Sequence, residues 1–387
     1  MPPETRRRTV AFVTYTFTNP AAVGVFFRAL RVAFELHRRG WRFVVFNVGG
    51  LPDDPKVDRA RELGAEFHQC GWGDEEENRR DMAALLRSTR PDLVVFGEDA
   101  FPGMVPFLEG AKMGRAPLVM LDQFYRPGYH GQYPGVDLLL TYGLRCLWEN
   151  AADRPGHLII VPPFIDEVTP VETLGAPPGF EGLPWVTVLG LDERVLRAGI
   201  ELIGKLERHR PAVITVSRDP ALSERLMGAA GIGPERRLAL PLQRDPELFG
   251  WIAASRVAIV ANGFMQIVEA LALGTPALSI DRGLGLPAGA LDEAFLPYVS
   301  HCETPGQQLA RLDGWLEGRP FPEGLLAGLQ RERSGLRRCV DLLEAAAARP
   351  RLGRRLQRAL LWLRWRLRRL SRPPQALPES RMEHGDR

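Results

Sequence analysis

Long apolar runs are the first thing this 387-residue chain lacks. No stretch approaches the ~18 uncharged apolar residues of a membrane-crossing helix, so none is predicted. Cysteine is also scarce. Cys70, Cys146, Cys302 and Cys339 show no short paired spacing, which excludes CxxC-type zinc and redox motifs. Scattered cysteines of this kind fit reduced thiols in a cytoplasmic protein. The seven histidines form neither HxxxH nor HxH, and no metal is expected. Neither GxSxG nor GxxxxGK[ST] occurs, which excludes a serine nucleophile elbow and a P-loop. The opening Arg6-Arg7-Arg8 and TVAFVTYTF has the outline of a leader. Its apolar run is short, broken by threonines and without a small-residue cleavage site, so it predicts a first buried strand.

Charge of one sign is missing from one segment only. Residues 349–372 hold ten arginines and no acid, while the whole chain carries a formal net charge of +3. The body is therefore net negative, and no basic face for nucleic acid is expected.

What is present is alternation. TVAFVTYT (9–16), RFVVFNVG (42–49), AEFHQCG, PDLVVFGED, APLVMLDQF and VDLLLTYG read as strands. Helical spacing fills 21–40, 56–64, 74–89 and FLEGAKMG between them. Residues 166–184, DEVTPVETLGAPPGFEGLP, are rich in proline and glycine and without period, as a linker would be. A second series follows: WVTVLGL, a helix to His209, AVITVS, a helix over 221–230, RLALPL, PELFGWIAAS, RVAIVAN and PALSID, then helical residues over about 304–348. Strands alternating with helices predict two parallel, doubly wound sheets, with the site at the carboxyl ends of the strands. The expected division is 1–165, linker 166–184, 185–348, a basic amphipathic helix over 349–372 and a disordered tail over 373–387.

Residues 261–281, ANGFMQIVEALALGTPALSID, carry the most chemistry. They read as a turn after a strand, a short helix, a Gly274-Thr275-Pro276 stop and a strand. Free N–H groups and the positive dipole end at such a helix start make an anion site. Glu269, two turns or less into the helix, is within reach of a sugar hydroxyl beside a bound phosphate.

The segment RLALPLQRDPELFGWIAASRVAIVANGFMQIVEALALGTPALSID (237–281), within the two-domain pattern of residues 9–330, resembles the GT-B superfamily. The likeness is to the branch holding the peptidoglycan N-acetylglucosaminyltransferase and the nucleotide-sugar hydrolase of pseudaminic acid synthesis. It implies two Rossmann-like domains facing a cleft, and a nucleotide-sugar as substrate with no cofactor. It places the base on Leu240, Pro241 and Leu242. Phosphates fall on Gly263, Phe264, Met265 and Gln266, the ribose on Glu269, and the sugar on Asp281 and Arg282. The loop Gly190-Leu191-Asp192-Glu193 departs from the glycine-rich pattern. Its two acids repel a pyrophosphate unless they cap the next helix and face away.

Three acids at strand ends of the first half, Glu98, Asp99 and Asp122, are candidates for the general base that deprotonates an acceptor. Asp99 equally suits a helix cap. Arg218, after AVITVS, suits a phosphate contact or a surface pair with Asp219 or Glu224.

The basic segment has a leucine stripe, Leu352, Leu356, Leu360, Leu363, Leu367 and Leu370, flanked by Trp362 and Trp365. Arg351 to Arg372 around such a stripe form an interfacial helix suited to anionic lipid, or equally a partner helix. Together these readings predict a cytoplasmic glycosyltransferase, peripheral on the inner membrane face, with a lipid-linked or membrane-proximal acceptor. A nucleotide-sugar hydrolase and a non-catalytic scaffold are the alternatives.

Overall fold

The computed structural model describes residues 7–16, 24–97, 102–122, 135–142, 158–190, 193–261, 264–280, 293–300, 303–318 and 335–349. The basic segment from Arg351 onward lies outside them.

Seven strands build the first sheet: β1 (Thr9–Tyr15), β2 (Arg42–Val48), β3 (Glu66–Cys70), β4 (Leu93–Gly97), β5 (Leu118–Asp122), β6 (Leu138–Tyr142) and β7 (Leu158–Val161). Their order is β3-β2-β1-β4-β5-β6-β7, and every neighbouring pair is parallel. β1 and β4 are buried along their whole length. Both faces of a parallel sheet are covered, which is why TVAFVTY and LVVFG are nearly continuous apolar runs. The covering helices are α1 (Gly24–Arg38), α2 (Pro55–Glu62), α3 (Glu75–Thr89) and α4 (Val105–Lys112). α3 starts where Asp74 accepts the Glu77 N–H at 2.8 Å, a side-chain cap for an otherwise orphaned donor.

Residues 162–184 connect the sheets through two 3₁₀ turns, Val171–Thr173 and Pro178–Phe180. Phe180 is buried edge-on against Trp185.

The second sheet comprises β8 (Trp185–Gly190), β9 (Ala212–Ser217), β10 (Arg237–Leu240), β11 (Val257–Val260), β12 (Ala277–Ser279) and β13 (Val299–Ser300). Their order is β10-β9-β8-β11-β12-β13, again all parallel. Helices α5 (Glu193–Gly204), α6 (Pro220–Ala229), α7 (Asp245–Ala254), α8 (Phe264–Ala272) and α9 (Pro305–Leu316) follow its strands. α9 begins in a capping box between Thr304 and Gln307.

A last helix, α10 (Gly335–Ala348), returns to the first sheet. Its Glu344 accepts the Trp41 indole N–H at 3.0 Å, and Arg39 pairs with Asp341 at 2.6 Å and Glu344 at 2.8 Å. By position this helix closes the second half of the chain; by packing it lies on α1. One apolar cluster runs through both halves, from Phe26 and Val340 to Phe249 and Met265.

The structure departs from the sequence expectations in detail, and β13, only two residues long, is not among the expected strands. β7 was not anticipated, because LIIV is too short to announce itself beside Pro162 and Pro163. The helix expected to reach His209 stops at Gly204.

Candidate functional site

Both sheets reverse direction of winding at one point, between β1 and β4 in the first and between β8 and β11 in the second. In doubly wound sheets ligands bind at such a crevice, beyond the carboxyl ends of the strands. α8 starts four residues past β11, at the second crevice. Its first turn directs backbone N–H groups there.

Several expected residues gather at this edge. Met265 is buried and Gln266 half-buried on α8. Phe264 is the first helical residue. Leu240 ends β10 half-buried, with Pro241 exposed and Leu242 half-buried beyond it. Arg218 stands exposed one residue past β9 and makes no ion pair among the described residues. Its two candidate partners are engaged elsewhere. Asp219 caps α6 by accepting the Leu222 N–H at 2.9 Å, and Glu224 pairs with Arg237 at 2.8 Å. Glu193 opens α5 exposed and pairs with Arg197 at 2.7 Å. In the first sheet, Asp122 is the last residue of β5, in register with Thr141. Glu98, Asp99, Asp192, Gly263, Asp281 and Arg282 lie outside the described residues.

Glu269 is not an exposed helix acid. Its side chain is 5% exposed, and Oε1 accepts from the Arg31 guanidinium at 2.5 Å. Arg31 belongs to α1, on the opposite half of the chain. Its Nε also approaches Asp245, at the start of α7, to 2.6 Å. Lys56, on α2, reaches the other oxygen of Asp245 at 3.0 Å. Two aromatic faces flank the cations: Arg31 lies 5.4 Å from the Phe249 ring centroid and Lys56 5.2 Å from that of Phe27. Two cations of the first half thus meet two carboxylates of the second. Burial pushes the Asp245 carboxyl up, but the charges of Arg31 and Lys56 and their hydrogen bonds outweigh it and hold it at about 2.

The carboxyl ends of β1 and β2 are tied by a polar network. The Thr14 hydroxyl donates to Asn47 Oδ1 at 3.0 Å, and Asn47 Nδ2 donates to the Thr16 hydroxyl at 3.0 Å and to the Gly50 carbonyl at 3.1 Å. Gly49 sits at φ +98°, and a Cβ there would stand 2.3 Å from the Thr16 carbonyl oxygen. Only glycine lets the end of β2 approach the end of β1 so closely. The network fixes the point from which the first loop leaves.

Sequence reasoning did not select Arg31, Lys56 or Asp245. A signal existed: Arg28 and Arg31 interrupt the apolar face of VFFRALRVAF, and both are largely buried. A buried cation requires a partner, but the sequence does not say from which half of the chain it comes. Among the described residues, His209, Asp313 and Glu317 bring possible metal-ligand atoms within 4.8 Å of one another. They lie at the amino-terminal edge of β9, away from the crevice, and Arg208 pairs with both carboxylates.

No family model matches the sequence, and no curated protein does. Solved structures do match. MurG of Acinetobacter baumannii superposes with a TM-score of 0.58 at 12% identity, over 87% of this chain and 99% of MurG. The glycosyltransferase VinC, solved in complex with dTDP, gives 0.53 at 15% identity, over 88% and 100%. A UDP-N-acetylglucosamine 2-epimerase gives 0.50 at 14% identity, over 89% and 98%. What is shared at these identities is the course of the backbone through both sheets, and the chain therefore has the GT-B fold.

Proposed function

We propose that the protein is a glycosyltransferase that binds a nucleotide-sugar in its second half and an acceptor in its first. The observation carrying this reading is the start of α8 at the β8/β11 crevice with Glu269 in the same helix. A structural neighbour supports it, since VinC is a glycosyltransferase and was solved in complex with dTDP, a nucleoside diphosphate. The α8 amino terminus and Arg218 stabilise the departing diphosphate by dipole and charge. Gly263, Phe264, Met265 and Gln266 surround the phosphates, and Leu240, Pro241 and Leu242 the base. Glu269 holds the ribose hydroxyls, and Asp281 with Arg282 the sugar. One of Glu98, Asp99 and Asp122 takes the acceptor proton. Titration calorimetry with a panel of nucleotides and nucleotide-sugars tests the reading. No binding by the panel, with no effect of Glu269→Ala, overturns it.

The acceptor is placed near an anionic membrane surface by the stripe and arginines of 351–372, each arginine contributing about 1 kcal/mol near anionic lipid. Among the described residues no helix is long and apolar enough to cross a membrane. Flotation on vesicles containing phosphatidylglycerol, with and without residues 349–387, tests the idea. Equal binding by both forms removes it.

A second reading has its own observation. Glu269 is engaged by Arg31 of the same chain, as it would be in a non-catalytic GT-B protein whose crevice is filled by its own side chains. Release of free sugar or its transfer to an acceptor, absent in Glu269→Ala, rules that reading out. Sugar release without any acceptor marks a hydrolase.

A further inference from the structure

We propose that Arg31 is a latch, reaching across from the first half of the chain, that the nucleotide donor must displace from Glu269. This inference rests on the reading of Glu269 as the ribose-binding carboxylate.

The carboxylate is 5% exposed, and Arg31 stands 2.5 Å from it. A ribose needs the same oxygen surface, and at this burial the two cannot occupy it together. Arg31 reaches it from α1, on the other half of the chain. The guanidinium is itself held from three directions: by Glu269 at 2.5 Å, by Asp245 at 2.6 Å and by the Phe249 ring at 5.4 Å.

The arrangement has a second compensated state. When Glu269 lets go, Arg31 keeps Asp245, and Asp245 also keeps Lys56 at 3.0 Å. Glu269 in turn gains hydroxyl donors from the ribose. Neither state strands a buried charge, which is the condition for a switch between discrete arrangements rather than for local unfolding. A ligand shifts such an equilibrium only by its difference in affinity for the two states. Here that difference is complete, because the latched state, with Arg31 on Glu269, withholds the carboxylate. The measured affinity of the native protein is therefore lowered by the fraction of molecules that are latched.

The sign separates this role from a supporting one. A residue that merely orients Glu269 weakens donor binding when removed; a latch strengthens it. Calorimetric titration of the full chain with UDP and with dTDP is compared between the native protein and Arg31→Met, which keeps the stem against Phe249 and removes the charge. Arg31→Gln, polar and similar in reach, serves if the methionine variant does not fold. We expect at least tenfold tighter binding of the better nucleotide, or 1.4 kcal/mol. Binding by the native protein with equal or weaker binding by the variant overturns the latch and leaves the donor reading standing. No binding by either protein overturns the donor reading and the latch with it.

Discussion

The carboxylate of Asp166 accepts the backbone N–H of Leu336 at 2.9 Å, and its other oxygen that of Arg337 at 3.2 Å. A residue of the segment that connects the two sheets thereby caps, across 170 positions, the helix that returns to the first sheet. The first N–H groups of a helix have no partner within it. Replacing this cap by Asp166→Ala should lower the unfolding free energy by about 1–2 kcal/mol. Asp166→Asn, which retains one acceptor, should recover part of the loss. Urea unfolding followed by circular dichroism measures both; an unchanged midpoint in the alanine variant would show that α10 is held by packing alone.

Asp245 ties stability to acidity. Its carboxyl is held at about 2, against 3.8 for an unperturbed group. The folded protein thus releases this proton more readily than the unfolded chain, and the gain is present above pH ~4. It is lost as pH falls from about 4 to about 2, because protonation removes the charge that Arg31 and Lys56 face. The shift corresponds to something on the order of 2 kcal/mol. Asp245→Asn should be less stable near neutrality and show a shallower loss between those pH values. Parallel acid limbs for the two proteins would mean that Asp245 titrates alike in both states.

The alternation of strands and helices was legible because each strand of a covered parallel sheet is a short apolar run between turn residues. The 261–281 motif was legible for the same reason, as an apolar strand, a helix start and a Gly-Thr-Pro stop occur in sequence. Contacts between distant segments were not. Helical spacing places Glu269 on α8 but cannot show that Arg31, 238 residues away, faces it. Nor does periodicity tell α10 which sheet to join, since its leucine and alanine face suits either. The first-half acids Glu98 and Asp99 lie outside the described residues, and for them the strand-end position is still the argument.

Gly250 should resist substitution although it lies inside α7, where alanine is ordinarily the better helix former. A Cβ there would stand 2.3 Å from the Thr169 carbonyl oxygen and 2.8 Å from Leu174 Cδ1. The connecting segment is pinned at that place, with the Thr169 N–H donating to the Pro246 carbonyl at 2.9 Å. Backbone cannot yield as a side-chain end can, so Gly250→Ala pushes the segment off the helix that carries Asp245. Overpacking of this kind should cost about 1–3 kcal/mol. A lower melting temperature with unchanged helix content is expected; a melting temperature at or above the native value would show that the segment moves freely.

Cys339 tests whether α10 is packed in solution as it is here. Its side chain is fully buried in the cluster shared with α1, and burial pushes the thiol up to about 12, against the smaller opposing effect of Arg28. The thiolate is the reacting species, so at neutral pH both access and ionisation are denied. Cys70 is half-buried on β3, and its thiol is pushed up to about 11 by burial and by Asp81. Iodoacetamide applied to the folded chain, followed by peptide mapping, should leave Cys339 unmodified over hours and label Cys70 only slowly. Both should react within minutes in urea. Asp166→Ala, by loosening the start of α10, should raise the Cys339 rate while leaving that of Cys70 unchanged. Rapid labelling of Cys339 in the native protein would mean that the helix opens independently of the rest. The return of the chain to the first half would then be a weak closure rather than part of the core.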